Sequence, residues 1–417
     1  MMHSTAPLAL VFLLCCLPFT SLWQQKTGVS VLDADEEAKP APPVTPVDLS
    51  EWEEKMQNAT PEVLMDFGEF LEDRMLFFEA SQAYTQALAI DSSMVEAHTK
   101  LARLHWRRLG ELDVAQGHLT FAATEFPSNV PVRLQYAAFM AEARQDLDAA
   151  EVMLRALLEQ VPEDKSVHHE LALFLKSHRQ DYDAAEAQYR RSIAMFPDCA
   201  LLRNNFALFL KNIRKDVVGA EAQFAAGLEH VPESGLLRMN FGILLETQLK
   251  DFARAKEQYE LALQHEPLNI DARVNYGIFT QEALGDYRVA EEQYRLAIEQ
   301  APGNAFALTT FAQFLTSVRG DQGAAERMYL QAIEMNPTHG LSHHKYAVFL
   351  RKHKKDYIAM GEMARKAVQL DPSLAPRWSD EHARLQRWET AATSWQSCFE
   401  SSDAAQFLIC LAAKAVM

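Results

Sequence analysis

Adjacent histidines stand at His168-His169 and His343-His344, aspartates recur at Asp146, Asp181, Asp216, Asp251, Asp286, Asp321 and Asp356, and asparagines stand at Asn205, Asn240 and Asn275. These residue types serve metal binding, acid–base catalysis and amide recognition respectively. Neighbours on a helix diverge by about 100°, so neither histidine pair chelates a metal on its own. The five cysteines, Cys15, Cys16, Cys199, Cys398 and Cys410, form no CxxC pair, and no histidine stands at zinc-like spacing from them. Free thiols are expected rather than a disulfide framework. The aspartates are 35 residues apart, whereas a catalytic pair would have to face one pocket. A carboxylate repeated at such an interval suits helix N-caps, where it accepts from an orphan N–H and meets the positive end of the helix dipole. GxGxxG, P-loop, HExxH and GxSxG signatures are absent. The expectation is therefore a chain with no catalytic residue, no cofactor and no metal.

The elements that position these residues follow the same interval. Pro127, Pro162, Pro197, Pro232, Pro267, Pro302, Pro337 and Pro372 are each 35 residues apart, and Ser92 holds the same register one step earlier. A fixed period of this length marks a repeat architecture. Between Pro232 and Pro267, the positions Leu237, Phe241, Leu244 and Leu245 trace one helix face, with Gly242 as its small member. Asp251 then opens a second helix whose apolar set is Phe252, Ala255, Tyr259, Ala262 and Leu263, and Pro267 ends it. A small-residue column runs along the first helices, from Gly68 and Ala102 to Gly277, Ala312 and Ala347. Another runs along the second, from Ala80 to Ala325. Tyr84, Tyr189, Phe224, Tyr259, Tyr294 and Tyr329 stand beside them. Recurring aromatics at helical spacing are read as core.

The order small–x₂–large, then Ala–x₃–Tyr/Phe–x₂–Ala, then Pro, resembles the tetratricopeptide (TPR) repeat. Gly68, Leu71, Ala80, Tyr84 and Ala87 fit the 34-residue form of that family. From Ser92 onward each unit carries one more residue between its two helices, and the first helix has Leu at the family's tyrosine position (Leu175, Leu210, Leu245, Leu315, Leu350). The resemblance implies an all-α, right-handed superhelical solenoid of about nine TPR-like hairpins over residues 61–374, with C-terminal capping helices in 375–417. Before the repeats come an apolar segment in 1–24, an acidic, proline-rich linker in 25–50 and the start of an N-terminal helix in 51–60, capped by Ser50. The apolar run from Ala6 to Phe19 is too short to span a bilayer and fits the core of a signal peptide. It lacks a basic residue before it and a clear small-x-small site after it. Cytoplasmic and secretory locations both stay open, and membrane association is expected only if that segment is retained.

The resemblance also implies that ligands meet the first helix of each unit. Two positions before the small residue stand Asp66, Lys100, Gln135, Glu170, Asn205, Asn240, Asn275, Thr310 and Lys345. The three consecutive asparagines resemble the peptide-binding ladder of the TPR superhelix of O-linked N-acetylglucosamine transferase; an amide offers a donor and an acceptor to any peptide backbone. One position after the small residue, Leu173, Leu208, Ile243 and Ile278 form an apolar stripe for partner side chains, or pack under the neighbouring unit. Lys and Asn do not occur together in the spacing by which some TPR proteins clamp an acidic C-terminus. The basic run at 343–355 is read as a docking patch for a charged partner or as a solvated helix end. A formal net charge of −17 disfavours nucleic acid. The reading is a non-enzymatic scaffold for a protein or peptide partner. The alternatives are an accessory or targeting subunit of an enzyme such as a transferase, and an RNA-processing scaffold.

Overall fold

The computed structural model describes residues 59–378 apart from position 75, together with Trp52, Lys55 and Met56. The expected cap at Ser50, the apolar segment and linker, and the helices expected after 378 lie outside the described residues. Each repeat is a hairpin of a helix A and a helix B, from Pro61–Asp73 with Phe77–Ile90 in repeat 1 to Gly340–Phe349 with Tyr357–Leu370 in repeat 9. The described residues contain no strand. They form two compact bodies that divide after Gln188, within the helix Tyr182–Met195. In each body helix A packs on its own helix B, helix B on the next helix A, and successive A helices touch. Each hairpin thus buries its apolar face against its neighbours, the construction of a TPR-like solenoid.

The aspartate column is the set of helix B caps. Asp146, Asp181, Asp216, Asp251, Asp286, Asp321 and Asp356 each accept from the backbone N–H three residues on, at 2.7–3.1 Å. The extra residue of the 35-residue unit lies where helix A ends. In repeat 1 the N–H of Leu76 returns to the carbonyl of Leu71, five residues back. From repeat 2 to repeat 8 the residue before helix B returns six back, as in Asp251 to Leu245 at 3.0 Å and Asp286 to Thr280 at 2.8 Å. In repeats 2, 4, 5, 6, 8 and 9 this widened turn is a five-residue π segment, such as Leu245–Leu249.

The widened turn needs a left-handed residue at its end. Gly110, Gly285 and Gly320 supply it in three repeats, but Gln145, Gln180, Lys215, Lys250 and Lys355 adopt the same conformation, with φ of 55–59°. A side chain bearing a Cβ is disfavoured there by about 1–2 kcal/mol, while glycine also costs entropy on folding. Lys250→Gly is therefore expected to stabilise the protein by about 1 kcal/mol, read as a higher urea midpoint; an unchanged or lower midpoint contradicts it.

The glycines of the first-helix column pack against rings. A Cβ at Gly277 would lie 2.6 Å from Tyr294 Cε1, and one at Gly242 3.1 Å from the Tyr259 ring. These tyrosines, like Tyr84 opposite Gly68, are fully buried. Each reaches the residue one turn beyond the glycine: Tyr84 Oη donates to Glu72 at 2.7 Å, Tyr259 to Glu246 at 2.9 Å and Tyr294 to Gln281 at 3.0 Å. Alanine holds the glycine position in other repeats with either ring, Ala207 with Phe224 and Ala312 with Tyr329. One expected core member differs. Phe252, the first residue of its helix, is 38% exposed and only flanks Phe279 at a centroid distance of 6.3 Å.

Candidate functional site: the A-helix face

The histidine pairs part company at once. His168 and His343 belong to a column of basic side chains, each standing six residues after the turn proline. His168 Nε2 bonds the Pro162 carbonyl at 2.8 Å and His343 Nε2 that of Pro337 at 2.9 Å. Arg203, Arg238 and Arg273 donate to Pro197, Pro232 and Pro267 at 2.8, 2.7 and 2.6 Å. His98 does the same to Ser92 at 3.2 Å. Many of these side chains also reach helix B. Arg238 donates to Gln258 at 2.9 Å, Arg273 to Gln293 at 3.0 Å, and His168 Nδ1 meets Gln188 at 3.0 Å. In repeat 2 the helix B partner is His118, which burial, with His98 and His105 nearby, holds down to about 4. The column staples each inter-repeat turn to its hairpin. Burial lowers the pKa of Arg203, Arg238 and Arg273, a cost met by neutral acceptors. Sequence reasoning passed over this column because it changes residue type; the usable signal was a donor at a constant offset from the proline.

His169 and His344 point elsewhere. His344 Nδ1 accepts from Trp378 Nε1 at 2.9 Å. Among the described residues no cluster of His, Cys, Asp or Glu could hold a metal ion. Cys199 is a half-buried free thiol, and the other four cysteines lie outside the described residues.

The asparagines are half-buried and tied to their own chain. Asn240 Nδ2 donates to Asn204 Oδ1 in the preceding repeat at 2.8 Å and to the Leu236 carbonyl at 3.2 Å. Asn275 Nδ2 donates to the Asp271 carbonyl at 2.8 Å and lies 3.6 Å from Met239 Sδ. Asn205 Oδ1 accepts from Asn204 Nδ2 at 3.2 Å. The group that Asn240 and Asn275 offer outward is thus the amide oxygen, an acceptor for a backbone N–H.

Leu173, Leu208, Ile243 and Ile278 are also half-buried. In the first body, Leu173 and Glu170 line a cavity of about 310 Å³ beside Leu134, Ala138 and Phe174. In the second body a cavity of about 570 Å³ opens between the A helices of repeats 7, 8 and 9. Ile278 from the apolar column and Thr310 and Lys345 from the asparagine column all border it. Its floor is formed by the core rings Tyr294, Tyr329 and Phe349. The two columns therefore converge on a cavity that starts on the A helix of Asn275 and runs across the next two repeats. No described helix is long and apolar enough to cross a membrane.

No protein-family profile matches the chain, and no curated protein does. Several solved structures are similar at low identity. A human IFIT1 dimer with m7Gppp-AAAA is 15% identical over 76% of this chain and 79% of its own, with a TM-score of 0.43. Yeast Tom70 is 15% identical over 77% of each chain, with a TM-score of 0.41. MamA is 16% identical over 38% of this chain and 91% of its own, with a TM-score of 0.32. The assignment of a TPR-like fold rests on the hairpins themselves.

Proposed function

We propose that this chain is a non-enzymatic binding scaffold whose A helices present a surface to an extended peptide or a partner's helix. The contacts would come from the asparagine column, with Asn240 and Asn275 offering their amide oxygens beside Asn205, and from Leu173, Leu208, Ile243 and Ile278 through apolar packing. The observation that carries the reading is the convergence of Ile278, Thr310 and Lys345 on one open cavity. The other regular columns of the repeat are consumed internally: aspartates by caps, tyrosines by the core, histidines and arginines by turn carbonyls. What remains open on the A helices is partly apolar and partly polar, the composition of a recognition surface.

A random-peptide array probed with the full chain tests this. The Asn205→Ala/Asn240→Ala/Asn275→Ala protein is expected to lose most peptides that the wild type holds, about tenfold or more in affinity, while still unfolding cooperatively. An unchanged binding profile in that folded variant would remove the asparagines from the site.

A further inference from the structure

The cavity between repeats 7, 8 and 9 gathers cations in a chain that is acidic as a whole. The chain carries 57 acidic against 40 basic residues. Several cations elsewhere meet carboxylates: Lys100 meets Glu69 at 2.5 Å, Arg254 meets Glu221 at 2.8 Å, and Lys354, just outside this cavity, meets Glu326 at 2.6 Å. Lys345, Lys352 and Arg377 all line the cavity. Among the described residues none of the three has a carboxylate within ion-pair distance. The one acidic residue on the lining is Glu282, on the far A helix.

Lys345 is the most telling of these cations. Its ammonium donates to Thr309 Oγ1 at 3.1 Å and lies 5.8 Å from the Phe306 ring centroid. Burial lowers its pKa, the mark of a cation removed from water with only neutral partners. A desolvated charge of this kind is stabilised by a counter-ion brought to it. Beside it stands His344, whose Nδ1 is an acceptor from Trp378; in the neutral ring Nε2 then carries the proton. Burial and the nearby Arg377, Lys345 and Arg351 hold His344 below its ordinary value, which favours that neutral form. The wall is therefore a set of donors for an anion. Ile278, Phe306, Leu341 and Val348 line the same cavity with apolar surface.

We propose that this cavity is the anchoring pocket for an acidic peptide, seating one carboxylate against Lys345, Lys352 and Arg377 and an adjoining apolar side chain on Ile278, Phe306 and Val348. The inference rests on the scaffold reading above and names the partner's chemistry. A carboxylate has the charge for three cations in a pocket of about 570 Å³. A nucleic acid would lay further phosphates along a chain of net charge −17, where they are repelled. The carboxylate source is an acidic side chain or a chain terminus; the probes below separate the two.

The test is fluorescence anisotropy on the full chain with labelled twelve-residue peptides in which Glu and Asp alternate with Leu and Val. One has an amidated C-terminus, one a free terminus, and one is the Gln/Asn isostere. Oligouridylate of matching charge is the fourth probe. The amidated acidic peptide is expected to bind saturably, about tenfold or more tighter than the isostere, and more weakly as salt is raised. Lys345→Gln, and separately the exposed Lys352→Gln, should each reduce that preference severalfold. A preference confined to the free terminus assigns the pocket to a chain end. Equal binding of the isostere, tighter binding of oligouridylate, no saturable binding of either acidic peptide, or full preference retained in both lysine variants overturns the assignment. The triple-asparagine variant separates the two readings. If it abolishes peptide binding while the lysine variants leave charge preference untouched, the scaffold reading stands and the acidic pocket falls.

Discussion

Tyr294→Ala is expected to lower the unfolding free energy by about 3–5 kcal/mol, the range for emptying a large aromatic site in a packed core. The ring is fully buried, with its face against Gly277 and its centroid 6.0 Å from Phe311 and 5.5 Å from Phe314. It joins helix B of repeat 7 to helix A of repeat 8, so its loss weakens both a hairpin and the stacking of two repeats. In a linear array that interface term carries much of the cooperativity. Urea unfolding of the full chain should show a lower midpoint and a broader transition. Tyr294→Phe keeps the ring and loses only the hydroxyl bond to Gln281, for about 1 kcal/mol. A truncation no more costly than Tyr294→Phe would show that the ring is not a core element. Because Tyr294 also lines the cavity proposed to seat an acidic peptide, the alanine variant should bind peptide poorly even where it remains folded.

Arg273→Ala is expected to cost about 1–3 kcal/mol, since it removes three hydrogen bonds from a charged donor that is itself nearly buried, although Gln293 is half-buried and Pro267 and Gln300 are exposed. Arg273 is 8% exposed and donates to Pro267 at 2.6 Å, Gln293 at 3.0 Å and Gln300 at 3.2 Å. Repeat 8 supplies a natural control. Leu308 stands at the equivalent place, buried, and there Gln331 donates to the Pro302 carbonyl at 3.1 Å instead. The residue equivalent to Gln331 in repeat 7 is Leu296, which has no donor. Arg273→Leu should therefore remain destabilised, and Arg273→Leu/Leu296→Gln should recover about 1 kcal/mol of the loss. Denaturant midpoints of the single and double variants decide the matter. No recovery in the double variant would show that the turn carbonyl is not what the staple serves.

Much of the scaffold was legible in the sequence because repetition multiplies weak signals. One Asp before one helix says little; seven at a fixed interval say that each must satisfy the same orphan N–H, and each does. Gly68, Gly242 and Gly277 and the tyrosines opposite them were legible for the same reason, although sequence could not say that the glycine accommodates a ring. The staple was missed because His, Arg and Leu occupy one column under a requirement for reach and donors rather than for one residue type. Phe252 kept its apolar identity and lost its place in the core because it stands at the first position of its helix, on the outer edge of the hairpin.

The site divides along the same line. Sequence by itself determined the all-α repeat, the hairpin register, the helix caps and the membership of the two columns proposed to meet a partner, since all of these are set within one 35-residue unit. Only tertiary structure decided where those columns border open volume, beside Leu173 in the first body and between repeats 7 and 9 in the second. It also decided that Lys345, Lys352 and Arg377 share one wall. A cavity and its field are made by side chains from helices more than 30 residues apart, and their separation depends on how neighbouring hairpins pack, which no single repeat records.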